Sequence, residues 1–389
     1  MKLLQVISTM DPKTGGPSQG IRNLNPLLTI SGIEVEVLCL DDPFSDYKDS
    51  GLFHTIGKGK TSYQFHLGLK KWIIKNASQF DFIVVHGIWQ FHNYAVYKAL
   101  KVLKRQGVKV PKVVIMPHGM LDPYFQKSPD RKLKAIRNEV IWRITEKRAI
   151  NAADALFFTC QEELELARLT FLGYRPKKEM NVGYGIQHPP NYTNDMKIAF
   201  EQCCPTIKDK KYWLFLSRIH PKKGIDVLIK VYNELSKDGK NLPELVIAGP
   251  TESNYAQKML DLAKGNKKIH FSGMLNESSK WGALYNCNVF LLPSHQENFG
   301  IAIIEALACK KPVLITKKIN IWKKIVQGNA AWILDEPNSA DFKDQLLAIT
   351  NLTVEELDMK GKMAYDVFVN KFQVDSSCLN FINALKSLK

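Results

Sequence analysis

Long apolar runs are missing from this sequence. No segment approaches the roughly 18 consecutive apolar residues that a membrane-spanning helix requires. The apolar stretch after Met1 is interrupted at Ser8 and Thr9, so it is also too short for a secretory signal peptide. We therefore expect a cytoplasmic protein, not a secreted or membrane-spanning one.

Paired cysteines and metal-ligand motifs are missing as well. There are seven cysteines, an odd number, and none of them forms a C-x-x-C pair. Reduced thiols in a cytosol fit this pattern better than a disulfide framework. No Asp-x-Asp occurs, and no cluster of His, Cys and Asp has metal-binding spacing. We therefore expect no metal site and no bound cofactor.

Acidic residues are scarce relative to basic ones. The 54 Lys and Arg against 38 Asp and Glu leave a net charge of +16, which would attract nucleic acid, anionic lipid or phosphorylated substrates. Fourteen of the basic residues, against four acidic ones, lie between Lys98 and Arg148. Within this segment apolar residues recur at helical intervals next to basic residues and Trp142: Leu133, Ile136, Val140, Ile141 and Ile144. That pattern suits a helix at a membrane interface, although the commoner alternative is a helix packed on the core with a solvated basic face.

The length of 389 residues is too great for one ordinary core and indicates two domains. Short apolar strands alternate with helical patterns through both halves, which predicts α/β domains with doubly wound sheets. The glycines and prolines of residues 183–191 break any regular element and mark a hinge. We predict domains at 1–190 and 191–369, with residues 192–211 as a linker or flexible loop.

The stretch 289–308 is the most informative part of the sequence. An apolar run ends at Pro293, a polar turn follows, and a helical segment begins near Gly300, which predicts strand, loop and helix. Ligands bind at such places in α/β sheets. The free amides at the helix start favour a phosphate, and glycine lets it come close; these residues are Phe299, Gly300 and Ile301.

Two carboxylates frame the same helix start. Glu297 precedes the helix, and Glu305 lies inside it. Ionised carboxylates only accept hydrogen bonds, so beside a nucleotide sugar they suit hydroxyl groups of the sugar and the ribose.

The motif Pro-Ser-x-x-Glu-x-Phe-Gly-x-x-x-x-Glu-Ala-x-Ala, which begins at Pro293, resembles the signature of the retaining group 1 (family 4) glycosyltransferases. A second stretch, Ser-Arg-x-x-x-x-Lys-Gly from Ser217, resembles another signature of this family. The resemblance implies the GT-B fold, in which two Rossmann-like domains face each other across a cleft. It also implies that the C-terminal helix, residues 370–389, crosses back to the first domain.

The resemblance further implies an activity. These enzymes transfer a hexose from a nucleotide diphosphate-sugar, by family precedent a UDP-sugar, without a metal ion. A basic first domain suits a saccharide or polyprenyl-diphosphate-linked acceptor at the inner membrane face, as in cell-surface polysaccharide biosynthesis, with electrostatic peripheral association.

Residue roles follow from the matching positions. Arg218 and Lys223 lie after a strand and five residues apart, so both can reach the leaving diphosphate. Glu297 would position the sugar and Glu305 the ribose. The nucleobase would be held by Gly273, Met274 and Leu275. The first domain would contribute a glycine loop and a histidine after a strand: Gly15, Gly16 and His118. His86 also follows a strand, where it is a candidate acceptor contact.

Two other interpretations remain open. Another GT-B enzyme, such as a nucleotide-sugar epimerase or a phosphorylase, would share the architecture but should lack the paired glutamates or carry a pyridoxal lysine. A non-enzymatic nucleic-acid-binding protein would explain the charge. No zinc-finger or RNA-recognition signature supports it, and we expect no nucleic-acid partner.

Overall fold

The computed structural model describes residues 1–12, 15–45, 52–128, 131–338 and 340–389. They form two compact units, the first made of Met1–Gly185 and Val374–Lys389 and the second of Ile186–Gln373. The boundaries predicted from the sequence, after residues 190 and 369, lie close to these two divisions.

The first unit is built on a sheet of seven parallel strands in the order β3-β2-β1-β4-β5-β6-β7. The order reverses direction between β1 and β4, which is the topological switch point of a doubly wound sheet. The strands are β1 (Lys2–Val6), β2 (Glu34–Cys39), β3 (Leu52–Thr55), β4 (Phe82–His86), β5 (Lys112–Met116), β6 (Ala155–Phe158) and β7 (Glu179–Asn181).

Helices connect these strands and cover the sheet. They are α1 (Gly16–Ile30), α2 (Leu67–Asn76), α3 (Phe91–Arg105), α4 (Tyr124–Lys127), α5 (Lys132–Ile141), α6 (Lys147–Ala152) and α7 (Gln161–Ala167). The last helix of the chain, Val374–Lys386, also belongs to this unit. Its Phe381 is buried, and its ring is nearly perpendicular to that of Phe157, with the ring centroids 5.6 Å apart.

The second unit carries a sheet of six parallel strands in the order β10-β9-β8-β11-β12-β13. Its switch point lies between β8 and β11. The strands are β8 (Tyr212–Leu216), β9 (Glu244–Ala248), β10 (Ile269–Gly273), β11 (Val289–Leu292), β12 (Val313–Thr316) and β13 (Ala331–Leu334). Both units therefore confirm the predicted α/β class with doubly wound parallel sheets.

The helices of the second unit begin before its first strand. They are α8 (Asn194–Cys203), α9 (Ile225–Lys237), α10 (Asn254–Ala263), α11 (Glu277–Asn286), α12 (Ile301–Ala308), α13 (Trp322–Val326), α14 (Phe342–Thr350) and α15 (Val354–Lys371), and the helix at the end of the chain is α16.

The predicted linker at residues 192–211 is wrong, because α8 lies inside it. Phe200 of this helix is 1% exposed and packs against Tyr212, with ring centroids 5.4 Å apart. α8 also contacts α11 closely at Gly282, where a Cβ would overlap the carbonyl oxygen of Met196. The polar composition hid this helix, since its stability depends on packing and not on local propensity.

The basic segment before β6 also differs from the commoner of the two expectations, a helix packed on the core with a solvated basic face. Four of its five apolar side chains are exposed, by 83%, 63%, 50% and 56%: Leu133, Ile136, Val140 and Ile144. Trp142, expected beside them at the interface, is instead fully buried and stacked on Phe171 at 4.7 Å. The chain makes a π-helical turn at Trp142–Glu146. Among the helices within the described ranges, none has the length and hydropathy to cross a bilayer.

Candidate functional site

The two signature segments follow the two strands at the switch point of the second sheet. β8 leads into residues 217–224, and β11 leads into residues 293–300. Their strands are neighbours and parallel, so both segments leave the sheet at the same edge. The tertiary structure thus places side by side two motifs that are more than 70 residues apart in the chain.

Lys223 and Glu297 join these segments as an ion pair. Lys223 Nζ donates to a carboxylate oxygen of Glu297, and the two side chains are 10% and 15% exposed. Burial alone would raise the pKa of Glu297, but the ammonium groups of Lys223 and Lys222 outweigh it and hold the pKa at about 2. Glu297 is therefore ionised at neutral pH. The structure brings together two residues to which the sequence assigned separate tasks, the diphosphate and the sugar.

Backbone contacts hold the two segments against each other. The amide of His295 donates to the carbonyl of Lys222 at 2.8 Å. Gly224 has a φ of 67°, and a Cβ at this position would overlap the carbonyl oxygen of Pro293. Glycine is thus required at position 224 for two reasons, the left-handed backbone and the close approach.

Gly300 turns the chain from the loop into α12. Its φ is 74°, and its carbonyl accepts from the amide of Ile303 at 2.9 Å. Within the described ranges, the amides of Gly300 and Ile301 have no hydrogen-bond acceptor. Phe299 is buried, and its ring meets Phe372 edge-on at 5.7 Å. The helix start therefore offers two free donors beside the ion pair, as an anion site requires.

Glu305 pairs with a lysine that sequence reasoning did not identify. Lys280 of α11 donates to Glu305 at 2.8 Å, and its ammonium lies 4.3 Å from the ring centroid of Trp281. The side chains of Lys280 and Glu305 are 26% and 12% exposed. Nothing in the local sequence distinguishes Lys280 from other surface lysines, because its partner lies 25 residues further along.

The remaining predicted residues of this unit lie at the ends of other strands. Arg218 is exposed and, among the described residues, makes no ion pair, so it does not join Lys223 and Glu297. Gly273 ends β10 with a φ of 70°, and its carbonyl accepts from the amide of Gly249 at 2.9 Å. Met274 is 63% exposed, and Leu275 is 9% exposed. An exposed apolar side chain next to a buried one could cover a planar base.

In the first unit, three histidines form a series: His86 ends β4, His118 follows β5, and His92 lies in the first turn of α3. His86 Nδ1 lies 3.0 Å from His118 Nε2, with the rings stacked at 5.3 Å, and His92 Nε2 lies 3.0 Å from the carbonyl oxygen of His86. Burial lowers the pKa of His118 and of His92 to about 4. Burial, together with the neighbouring histidines, lowers the pKa of His86 well below its ordinary value. All three rings are neutral at physiological pH.

The backbone at His118 is held in an uncommon conformation. His118 has a φ of 52°, which few residues other than glycine adopt. The next amide, that of Gly119, donates to the buried carboxylate of Glu163 at 2.5 Å. Glu163 also accepts from the amide and hydroxyl of Thr159, at 2.8 and 2.6 Å. Strain maintained by buried hydrogen bonds is typical of functional positions.

The predicted glycine loop lies at the start of α1. Residues 13 and 14 of this loop lie outside the described residues. Gly15 caps the helix with a φ of 89°, and the carbonyl of Gly16 accepts from the hydroxyl of Tyr184 at 2.9 Å. The rings of Tyr184 and His118 are nearly perpendicular, with centroids 6.4 Å apart. Tyr184 thus connects the glycine loop with His118, a role that the sequence analysis did not assign to it.

No group of three or more His, Cys, Asp or Glu within the described parts of the chain could hold a metal ion. The seven cysteines, all of them in those parts, are free thiols.

Two family models cover most of the chain. The model described as Glycosyl transferases group 1 matches residues 204–365, and the one described as Glycosyltransferase Family 4 matches residues 14–178. The first match lies within the second structural unit, and the second match lies within the first unit. Neither match reaches the C-terminal segment Val374–Lys389.

Individual relatives match in part. A probable sucrose-phosphate synthase of Thermosipho melanesiensis is 36% identical over 107 residues, which are 26% of this chain and 25% of that protein. The D-inositol 3-phosphate glycosyltransferase 2 of Catenulispora acidiphila is 26% identical over 210 residues, 51% of this chain and 48% of that protein. The chain therefore aligns with about a quarter to a half of the length of these curated relatives.

Solved structures match over the whole chain. Sucrose-phosphate synthase from Thermosynechococcus elongatus has a TM-score of 0.76 at 16% identity, covering 100% of this chain and 99% of that one. HepE from Anabaena, solved with UDP and glucose, has a TM-score of 0.75 at 16% identity and covers 100% of both chains. At this level of identity the likeness concerns the fold, and it confirms the predicted GT-B class.

Proposed function

Since this chain belongs to the group 1 glycosyltransferases and has their GT-B fold, we propose that it is a retaining, metal-independent hexosyltransferase. Its donor is a nucleotide diphosphate-sugar, with UDP as the nucleotide. Two related structures support UDP, because HepE was solved with UDP-glucose and with UDP and glucose. The acceptor is a saccharide, free or lipid-linked, and the product belongs to a cell-surface polysaccharide.

The observation that carries this proposal is the ion pair of Lys223 and Glu297 beside the free amides of Gly300 and Ile301. A sugar diphosphate needs cations and donors for its phosphates and acceptors for its hydroxyls, and these groups lie at one edge of one sheet. Arg218, being exposed, supplies a second cation for the phosphates. Glu305 accepts from the ribose hydroxyls when Lys280 releases it.

The transfer step itself needs little from the protein beyond placement. The bond between C1 of the sugar and the diphosphate oxygen breaks, and C1 bonds to the acceptor oxygen on the face that the diphosphate leaves. The acceptor proton passes to an oxygen of the leaving diphosphate. Lys223, Arg218 and the helix amides stabilise the charge on that group, so the reaction requires no metal. Glu297 positions the sugar and is not the nucleophile.

The exposed side of α5 suits peripheral binding to an anionic membrane. The four exposed apolar side chains form one stripe, with Leu133, Ile136 and Val140 on α5 and Ile144 on the π-helical turn that follows it. Seven basic residues flank them in 131–148, against Glu139 and the buried Glu146. A basic amphipathic surface with free apolar side chains is what an anionic bilayer attracts. We therefore propose a polyprenyl-diphosphate-linked saccharide as the acceptor and the inner face of the cell membrane as the location.

The experiment is a thermal-shift screen of the full chain against a panel of sugar nucleotides, followed by measurement of nucleotide release. A ligand present at about 100 times its Kd stabilises the folded state by about 2.7 kcal/mol, enough for a clear rise in melting temperature. We expect one UDP-sugar to give that rise, and UDP release to depend on an added saccharide acceptor. Activity should survive a chelator.

Several outcomes would contradict the proposal. Unchanged turnover in both Glu305→Ala and Lys223→Ala would remove the site assignment. Loss of activity with a chelator and its return with a divalent ion would remove the metal-free mechanism. Isomerisation of the sugar nucleotide without an acceptor would favour an epimerase, and dependence on inorganic phosphate would favour a phosphorylase.

A further inference from the structure

His86 is a buried polar residue for which the proposed function gives no task. The residue is 4% exposed, and its Nδ1 lies 3.0 Å from Nε2 of His118. His118 is only half-buried, so it is the member of this pair that a ligand can reach. What His86 does to His118 depends on which of the two nitrogens carries the shared proton.

Both rings are neutral, because burial lowers the pKa of each far below physiological pH. A neutral imidazole has one N–H and one bare nitrogen. Between His86 Nδ1 and His118 Nε2, one nitrogen therefore donates and the other accepts. Which of these two nitrogens donates also decides whether the other nitrogen of each ring carries a proton.

The surroundings of His86 favour one of the two arrangements. Its other nitrogen, Nε2, is buried and has no hydrogen-bond partner among the described residues. A buried N–H without an acceptor is rarer and costlier than a buried lone pair without a donor. His92 follows this rule, since its Nε2 donates to the carbonyl of His86 while its buried Nδ1 is left bare. By the same reasoning the proton of His86 resides on Nδ1.

A small cavity of about 30 Å³ lies beside His86. Its lining includes apolar side chains, among them Leu24 and Met116, and the polar side chains of Tyr184 and Ser377. The hydroxyls of Tyr184 and Ser377 donate to the carbonyls of Gly16 and Val374. Neither hydroxyl bonds to Nε2 of His86, which has no partner among the described residues.

We propose that His86 is a positioning residue that holds His118 as the Nδ1–H tautomer. His86 donates from Nδ1 to His118 Nε2, so His118 carries its own proton on Nδ1. His118 then donates a hydrogen bond to an oxygen of the bound sugar and does not act as a base toward the acceptor hydroxyl. The identity of this ligand rests on the proposed function, whereas the tautomer does not.

The fixed backbone strengthens the effect of a fixed tautomer. Gly119 is held by Glu163, and Tyr184 packs edge-on against the His118 ring. His118 therefore has little freedom to turn its ring and present the other nitrogen. Because the N–H of His118 then points in one direction, it can donate only to an oxygen at one position of the ligand.

The first test is nitrogen-15 NMR of histidine-labelled full-length protein without ligand. The His118 signals are identified by their loss in His118→Gln. We expect a protonated Nδ1 and a bare Nε2 for His118 at neutral pH. A protonated Nε2, or a charged ring, overturns the proposal, and this measurement does not depend on any variant at position 86.

The second test compares two nearly isosteric variants. His86→Asn places an amide donor where Nδ1 was, whereas His86→Asp offers only acceptors. With matched melting temperatures, we expect the Asn variant to keep the tautomer and kcat/KM within about threefold, and the Asp variant to move the His118 proton to Nε2 and lower kcat/KM at least about tenfold. Equal activity of the two variants despite different tautomers overturns the proposal. If no sugar nucleotide is turned over at all, the proposed function fails while the NMR result still decides the tautomer.

Discussion

Lys223 and Glu297, 74 residues apart in the chain, form an ion pair that connects the segments after two neighbouring strands. In the absence of a sugar nucleotide, each side chain satisfies the other in a largely buried place. In the proposed function, donor binding shares or replaces this contact, since the diphosphate competes for the ammonium group and the sugar hydroxyls compete for the carboxylate.

Replacing Lys223 by methionine should remove both functions of this pair. The carboxylate of Glu297 loses its main counter-charge, so its pKa rises from about 2, and the leaving diphosphate loses a cation. We expect turnover of the sugar nucleotide to fall by about 10²-fold or more. Lys230→Met is the matched control, because Lys230 is 60% exposed on α9 and 3.9 Å from its partner Asp226. Equal losses in the two variants would show that general charge matters and not the pair.

Comparing alanine variants of Gly224 and Gly239 separates the cost of a left-handed backbone from the cost of a steric overlap at Cβ. Both have left-handed φ values, 67° and 71°, but a Cβ at 224 would overlap the Pro293 carbonyl whereas one at 239 meets nothing within 4 Å. Gly239→Ala should cost about 1 kcal/mol of unfolding free energy and leave activity intact. Gly224→Ala should cost clearly more and reduce turnover, because the signature segments are forced apart. Urea unfolding and donor turnover measure the two effects, and similar results for both variants would contradict this explanation.

Glu146 should make the protein less stable as the pH rises. Burial raises the pKa of Glu146 to about 8, although the amide of Asn93 and the backbone of Trp89 lower it. Between its ordinary pKa of 4.5 and about 8, the folded protein keeps a proton that the unfolded chain releases, so the unfolding free energy falls with increasing pH.

Glu146→Gln keeps a partner for Asn93 and removes this ionisation. The variant should match the wild type near pH 5 and be more stable at pH 8, by roughly 5 kcal/mol at most. Glu165→Gln, at an exposed position of α7, is the control and should leave the pH dependence unchanged. The measurement is the unfolding free energy from urea denaturation at the two pH values. If this free energy changed equally with pH in the wild type and in Glu146→Gln, Glu146 would not be a buried protonated carboxyl.

The exposed stripe of α5 should bind vesicles of anionic lipid. Leu133→Asp with Ile136→Asp removes two apolar contacts and adds repulsion, so flotation with the vesicles at low salt should be lost. Met359→Asp with Leu379→Asp, at positions 54% and 59% exposed on other helices, should float like the wild type. High salt should weaken binding of the wild type, because surface attraction is screened. No flotation of the wild type at low salt would remove the membrane proposal.

Much of the fold could be predicted from local sequence. The strands of both sheets appeared as apolar runs bounded by turns, since a parallel strand is buried on both faces and reads as continuous hydrophobicity. β5, β9 and β13 are runs of this kind. The helix α8 was missed because it lies in a mostly polar stretch, although Met196, Ala199, Phe200 and Cys203 have helical spacing; its only buried residue, Phe200, packs in the tertiary structure.

In the candidate site, too, some features follow from the local sequence and others only from the tertiary structure. The sequence by itself determined the residue types and their order around β8 and β11, because glycine turns, a helix start and paired carboxylates are set by neighbours within a few positions. Only the tertiary structure decided which side chains meet: Lys223 with Glu297, Lys280 with Glu305, and His86 with His118. The physical reason is that a pairing across two strands depends on their order in the sheet and on burial, and neither is encoded in the spacing along the chain.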